Sequence, residues 1–384
     1  MKTTVTTKDQ SNPREGCLYM AFELGEKRWK LAFTVGCGQR PRMRSLVDSD
    51  RRRVLEEIKR ARKRFGLSEE AAVVSCYEAG REGFWLHRFL RQEGIQNWVV
   101  DSSSIEVNRK ARRVKSDWLD AGKLLGMLLR YCGGEKKVWK TVRVPSLEDE
   151  DDRHLHRSLK RFKQERTDLG NRIRGLLKTQ GVGPQGSLER WQESDLEKWR
   201  DWQGKPLREG LQARLARELR QLSRVREEIR QMEAERSRLL HQEKDPKLDQ
   251  IRQLESLKGM GINVAWTLVM EVFGWRRFHN RKEVGACLGL TPSPYQSGNL
   301  YREQGISKEG NRWCRGVIVE VAWLWLRWQP QSELSRWFRK RFAAGGTRAR
   351  KVGIVALARK LSIQLWRFLD EGVIPPGAVF HSRL

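Results

Sequence analysis

The chain of 384 residues is long enough for two or three domains with buried cores, and it carries 77 Lys and Arg against 48 Asp and Glu, a formal net charge of +29. So large an excess repels itself unless a polyanion neutralises it, and the basic residues run through every segment, which points to nucleic acid. No apolar run approaches the roughly 20 residues of a spanning helix, so no membrane partner is expected. Residues 1–16 are polar and read as a disordered tail without the apolar stretch of a signal peptide. The six cysteines form no CxxC pair and no Cys/His cluster, which argues against zinc or disulfides and for a reducing, cytoplasmic compartment.

Residues 17–146 read as α/β. LYMAFEL and WKLAFTV are two strands joined by the hairpin signal GEKR, RRRVLEEIKRARKRFG is a basic amphipathic helix, and AAVVSCYE is an apolar strand. The helix GFWLHRFLRQEG, the strand QNWVVD and the helix SDWLDAGKLLGMLLRY follow, the last with Ser116 as N-cap. This order predicts a mixed sheet flanked by helices. Residues 147–249 read as two long polar helices separated by a Trp-rich connector. Leu211, Leu215, Leu219, Leu222, Val225, Ile229 and Met232 form an apolar seam with charged flanks in the second. That seam predicts a coiled coil or helical hairpin, serving dimerisation. Residues 250–384 read as mostly helical. KGMGI marks a helix-hairpin-helix-like turn, and a glycine-rich loop, LGLTPSPYQSGNLYREQGISKEGNRWCRG, comes next. Trp323, Trp325 and Trp328 recur at helical spacing and are expected in the core, although tryptophans also stack on unpaired bases.

Four carboxylates stand out. Glu23 lies inside the first apolar strand, Glu78 ends another, and Asp117 and Asp120 sit at i and i+3 on one helical turn. Acids at strand ends plus a helix-borne pair suit hard divalent ions, which prefer oxygen ligands. Each alone has a plainer reading: the helix dipole favours Asp117 and Asp120, and Glu23 or Glu78 could sit at a sheet edge or a helix entry.

The order acidic strand, EAG at a strand end, then KSDWLDA resembles the DEDD transposases of bacterial insertion sequences, a family related to the Piv-type invertases. Downstream, GMGINVAWTLVMEV, GLTPSPYQSG and GISKEGN are similar to that family's C-terminal transposase domain. The resemblance implies an RNase H-like, RuvC-like N-terminal domain, and Glu23, Glu78, Asp117 and Asp120 as ligands of Mg²⁺ or Mn²⁺. It also implies Ser297 of YQSG as a nucleophile forming a covalent DNA intermediate, at a composite site built from different subunits. Glu23 stands where the family usually has Asp, which shifts the metal by a methylene. Donor and target DNA, a structured non-coding guide RNA, a dimer or tetramer, and a bacterial nucleoid-associated location follow from the same resemblance. Ser293 is the nearest rival to Ser297, and S-G before Asn is also ordinary turn chemistry. Lys308, Arg312 and Arg315 around the glycine loop, and Lys115 before the acidic pair, are candidate phosphate contacts.

Two other functions compete with the transposase. A RuvC-like nuclease or Holliday-junction resolvase would use activated water and would not require the serine domain. A non-catalytic nucleic-acid-binding protein would lack metal affinity.

Overall fold

The computed structural model describes residues 16–106, 117–183, 186–297 and 300–381. The expected tail, Lys115 and the Ser116 cap lie outside the described residues. The chain divides into two compact units, one ending at Pro145 and one beginning at Ser146.

The first unit is built on a five-stranded mixed sheet. Its strands are β1 (Leu18–Leu24), β2 (Arg28–Thr34), β3 (Arg42–Val47), β4 (Val73–Glu78) and β5 (Gln96–Val100). Their order is β3-β2-β1-β4-β5, with β1–β2 and β2–β3 antiparallel and β1–β4 and β4–β5 parallel. Helix α1 (Arg51–Arg64) and helix α2 (Trp85–Gln92) connect strands, and α3 (Asp117–Cys132) follows them. Because side chains alternate along a strand, the sheet has two cores. Leu18, Met20, Phe22 and Tyr77 face α1 and α2, whereas Tyr19, Ala21, Val74 and Cys76 face α3. Strand β3 was not expected. Its charged sequence is tolerated because buried Arg42 pairs with Glu57 of α1.

The second unit begins with α4 (Leu147–Lys178), started by a capping box in which Ser146 and Asp149 satisfy each other's backbone amides. Helix α5 (Glu209–Gln242) returns beside it. Most of the leucine seam of α5 is used inside the chain: Leu215, Leu219, Leu222, Val225 and Ile229 are buried with Leu159, Leu169, Ile173 and Leu177 of α4, and Leu211 and Met232 are half-buried at its ends. The pair is therefore a helical hairpin, and the seam that motivated dimerisation is occupied by α4. In the connector, Trp191 and Trp199 join this core and Trp202 is exposed.

A second core gathers the C-terminal helices α6 (Pro246–Glu255), α7 (Ile262–Leu268), α8 (Arg281–Cys287), α9 (Arg312–Trp328), α10 (Glu333–Phe342) and α11 (Thr347–Glu371). A glycine-containing turn joins α6 to α7, and α7 runs on into a π-helical turn, Val269–Phe273. Trp325 lies in the core and donates from Nε1 to Ser332 Oγ at 2.9 Å. Trp323 and Trp328 are about half exposed, off the buried stripe of α9. The glycine-rich segment is not simply a loop, because β6 (Pro292–Ser297) and β7 (Leu300–Ile306) pair as an antiparallel hairpin.

Candidate active site and nucleic-acid interface

Strand register decides where the acids of the first unit lie. Phe22 pairs with Tyr77 in the parallel β1–β4 ladder. Glu23 and Glu78 follow one step further on the two neighbouring strands. Two-residue alternation from Tyr19 and Ala21, and from Val74 and Cys76, turns both toward the α3 face. The thiol of Cys76 lies 3.7 Å from the carbonyl oxygen of Leu124 in α3. Glu78 is two residues beyond Cys76, and Asp120 is one helical turn before Leu124. Across β1–β2, Glu23 is paired with Lys30, whose Nζ stands 4.6 Å from the centre of the Trp118 ring and 3.0 Å from Ser45 Oγ. The first turn of α3, carrying Asp117 and Asp120, thus overlies the corner of the sheet where Glu23 and Glu78 end their strands. Asp120 is half-buried and Asp117 exposed.

The donor set at this corner is all carboxylate oxygen, which fits a hard divalent cation by chemistry. Among the described residues, no group of three or more His, Cys, Asp or Glu side chains is gathered to hold a metal ion. The fold brings the four acids to one corner without drawing their side chains together. Lys30 is an unexpected member of the site, and its signal was a lysine inside the apolar strand WKLAFTV.

In the second unit, Ser297 is the last residue of β6 and pairs with Leu300 of β7. Its rival Ser293 falls at the irregularity between Pro292 and Pro294. Below the hairpin the GISKEGN segment crosses the end of α8 closely. Gly289 has φ +64°, and a Cβ there would sit 1.9 Å from the Glu309 carbonyl oxygen, so only glycine fits. Asn311 caps α9 by accepting from the Cys314 amide at 3.1 Å, and its own amide donates to Cys287 O. Lys308 and Arg312 are exposed, and Lys308 holds a positive φ of 58°. Arg315 is half-buried and spends a guanidinium donor on Leu288 O at 3.2 Å. Of the three basic residues expected on phosphates, Lys308 and Arg312 stand open to solvent, whereas Arg315 also braces the loop.

A buried polar cluster escaped sequence reasoning. Glu271, in the π-helical turn, is 3% exposed. Arg157 of α4 grips it with two bonds, Nε to Oε1 at 2.6 Å and Nη2 to Oε2 at 2.7 Å, and His156 Nε2 lies 2.8 Å from Oε1. Burial alone would raise the Glu271 carboxyl, but the Arg157 and His156 contacts outweigh it and hold the group down at about 2. The His156 ring stacks on Trp313, with centroids 5.4 Å apart, and Lys160 Nζ sits 3.8 Å from the centre of the same indole. Burial raises the Cys314 thiol, with the Glu271 charge adding to it, so Cys314 is an inert core residue.

The profile of the Transposase IS116/IS110/IS902 family matches residues 251–335, which contain α7, the β6–β7 hairpin and α9. A putative transposase, y4rJ of Sinorhizobium fredii, is 38% identical over 380 residues, covering 96% of this chain and 95% of that protein. The chain belongs to this transposase family. A second putative transposase of Sinorhizobium fredii, y4qE, is 26% identical over 78% of the chain and 76% of its own length. The transposase for insertion sequence element IS1111A of Coxiella burnetii is 27% identical over 60% of the chain and 61% of its own length. The likeness to y4rJ spans both units of this transposase, the sheet corner as well as the serine hairpin. Among its described residues no helix is long and apolar enough to cross a membrane.

Proposed function

We propose that this transposase cuts and rejoins DNA through the carboxylate corner of its first unit. Glu23, Glu78, Asp117 and Asp120 would hold Mg²⁺ or Mn²⁺, and Ser297 would be the nucleophile. The observation that carries this reading is the β1–β4 register together with the seat of α3, which puts four acids from three elements at one corner of the sheet. The sheet order β3-β2-β1-β4-β5, three antiparallel strands continued by two parallel ones, supports the RNase H-like domain that the resemblance implies. Divalent ions, when bound there, would activate a hydroxyl and stabilise the leaving oxygen. Lys30 would place a positive charge beside Glu23 and limit repulsion within the acid group. The Ser297 hydroxyl would attack a DNA phosphorus, forming the Oγ–P bond as one P–O bond of the DNA breaks, and its proton would pass by way of a carboxylate to the leaving oxygen, freeing one DNA hydroxyl end. Exposed Lys308 and Arg312 would steady the phosphate charge. A structured guide RNA would select donor and target, and copies of the chain would assemble as a dimer or tetramer so that the corner and the serine meet.

A plain nuclease reading rests on a specific observation: all four acids belong to the first unit, so water activation would not need Ser297. Denaturing gels of the protein reacted with labelled donor DNA and Mg²⁺ separate the two. The wild-type chain is expected to form a covalent protein–DNA band and Ser297→Ala to form none and to lose strand exchange. Recombination by Ser297→Ala at the normal rate would make water the nucleophile.

A further inference from the structure

Beyond the serine hairpin, charge collects at one corner of the C-terminal core. Helix α10 carries Arg336, Arg339, Lys340 and Arg341, and α11 opens with Arg348, Arg350 and Lys351. All seven are exposed, and between residues 333 and 351 the sole acid is Glu333. Among the described residues none of the seven has a carboxylate within ion-pair reach, although ion pairs are common elsewhere on this surface. Two of them brace the backbone, Arg339 to Pro330 O and Arg350 to Ala343 O at 3.1 Å. The other five guanidinium and ammonium groups are left for solvent or a ligand.

The corner that presents them is rigid. Residues 343–346 are a four-residue turn, closed by the Gly345 amide on Phe342 O. Helix α11 crosses α10 at Gly353, where a Cβ would come within 2.5 Å of the Phe342 ring and 2.9 Å of Phe338. Leu334, Ser335, Phe338, Gly353 and Ile354 are buried along the crossing, so the basic side chains occupy the outward positions. Lys360 Nζ lies 4.9 Å from the centre of the Trp337 ring, extending the positive field along α11. Uncompensated cations this dense cost self-repulsion, which a polyanion relieves.

We propose that the α10–α11 corner, whose seven basic residues all lie beyond the 251–335 stretch that carries the serine, is a docking surface for the phosphate backbone of duplex DNA. Two helices joined by a short glycine-containing turn are a compact way to lay basic side chains against a B-form duplex, whose major groove admits a helix. The deep, narrow major groove of A-form RNA does not admit one. The choice of DNA rests on the transposase reading above. The surface would hold DNA by charge and leave sequence choice to other parts of the complex.

The test uses the full-length protein and fluorescence anisotropy with a mixed-sequence DNA duplex and an RNA hairpin, each of about 30 nucleotides per strand, across a salt series. Arg336→Gln, Lys340→Gln, Arg348→Gln and Lys351→Gln are combined. A control combines Arg214→Gln, Arg217→Gln, Arg224→Gln and Arg238→Gln, four exposed arginines of α5 without ion-pair partners among the described residues. The corner variant is expected to bind duplex DNA at least about 10-fold more weakly, with the slope of log K against log salt reduced by about 3. The α5 control should change little. Equal losses in both variants, or a loss confined to the RNA, would overturn the proposal. As a check independent of folding, Lys340 and Lys351 of the wild-type protein should be shielded from acetylation by the DNA duplex, and unchanged labelling would also overturn it. Strand exchange that survives in a variant with unchanged DNA affinity would sink this surface while leaving the transposase reading intact.

Discussion

Two carboxylate sites, Glu271 in the second unit and the Asp117–Asp120 pair in the first, are built in opposite ways. At the first site, Glu271 is buried and carries its own partners: Arg157 meets both oxygens, His156 meets one, and the carboxyl is held far below its ordinary range. At the second, Asp117 is exposed and Asp120 half-buried, and neither forms an ion pair among the described residues. A carboxylate supplied with protein cations is a strut, and its worth is measured in stability. Asp117 and Asp120, without ion pairs among the described residues, brace no core, and on the proposed reading their worth would be measured in chemistry.

The comparison breaks most visibly at Glu271. Glu271→Gln removes a buried carboxylate from His156 and from half-exposed Arg157, which water can partly resolvate, and is expected to cost about 1–3 kcal/mol of stability, read as a shift in urea midpoint. Asp120→Asn is expected to do the reverse. Its melting temperature should stay within the range of a surface substitution, while DNA cleavage falls by roughly 10² to 10³-fold and Mg²⁺ binding weakens by calorimetry. If Asp120→Asn melts early and still cuts, its role is structural and the contrast is lost.

Acid sharpens the same contrast. The Glu271 carboxyl is depressed in the folded chain, so its contribution is complete above the ordinary value of 4.5 and is lost as pH falls toward 2. That contribution is on the order of 3 kcal/mol. Urea titrations between pH 5 and 2.5 should therefore show a steeper loss for wild type than for Glu271→Gln. The smallest effect is expected at the cap of α9. Asn311→Ala removes the acceptor for the Cys314 amide and should cost about 1 kcal/mol, with the loop that follows the serine hairpin loosened more than the rest.

Much of the first unit was legible because its strands are apolar and its turns are marked. LYMAFEL–GEKR–WKLAFTV reads as a hairpin and folds as one. Strand β3 was not legible, since RMRSLV looks solvated until Glu57 of α1 comes to neutralise Arg42. Hairpin β6–β7 was hidden by Pro292, Pro294 and Gly305, residues that argue against a strand. The two residues between Ser297 and Leu300, Gly298 and Asn299, are of the type that joins hairpins and were the signal to weigh. The α5 seam was visible, but its partner was not. The apolar positions of α4 are sparse, and they become a seam only when Leu159, Leu169, Ile173 and Leu177 are seen against α5. Glu271 in TLVMEVF looks like the polar face of a helix. Its burial depends on His156 and Arg157, more than a hundred residues earlier. The four acids stand out in the sequence as an ordered set, but their grouping depends on strand register, since alternation along β1 and β4 turns Glu23 and Glu78 to one face.

Helix α4 belongs to two cores at once. Asp149 and Asp152 hold Lys247, His156 and Arg157 hold Glu271, and Lys160 rests on Trp313, so the first third of the helix is bolted to the C-terminal core. From Leu159 onward the same unbroken rod forms half of the hairpin with α5. The stretch from Lys160 to Lys178 spans roughly 30 Å without a kink-forming proline. Such a rod works as a lever arm: a tilt of about 10° at its bolted end would carry the Trp202 tip through roughly 5 Å. Lys160, at the foot of that rod, rests on Trp313 at the base of α9, so a tilt there would be felt beside the GISKEGN loop.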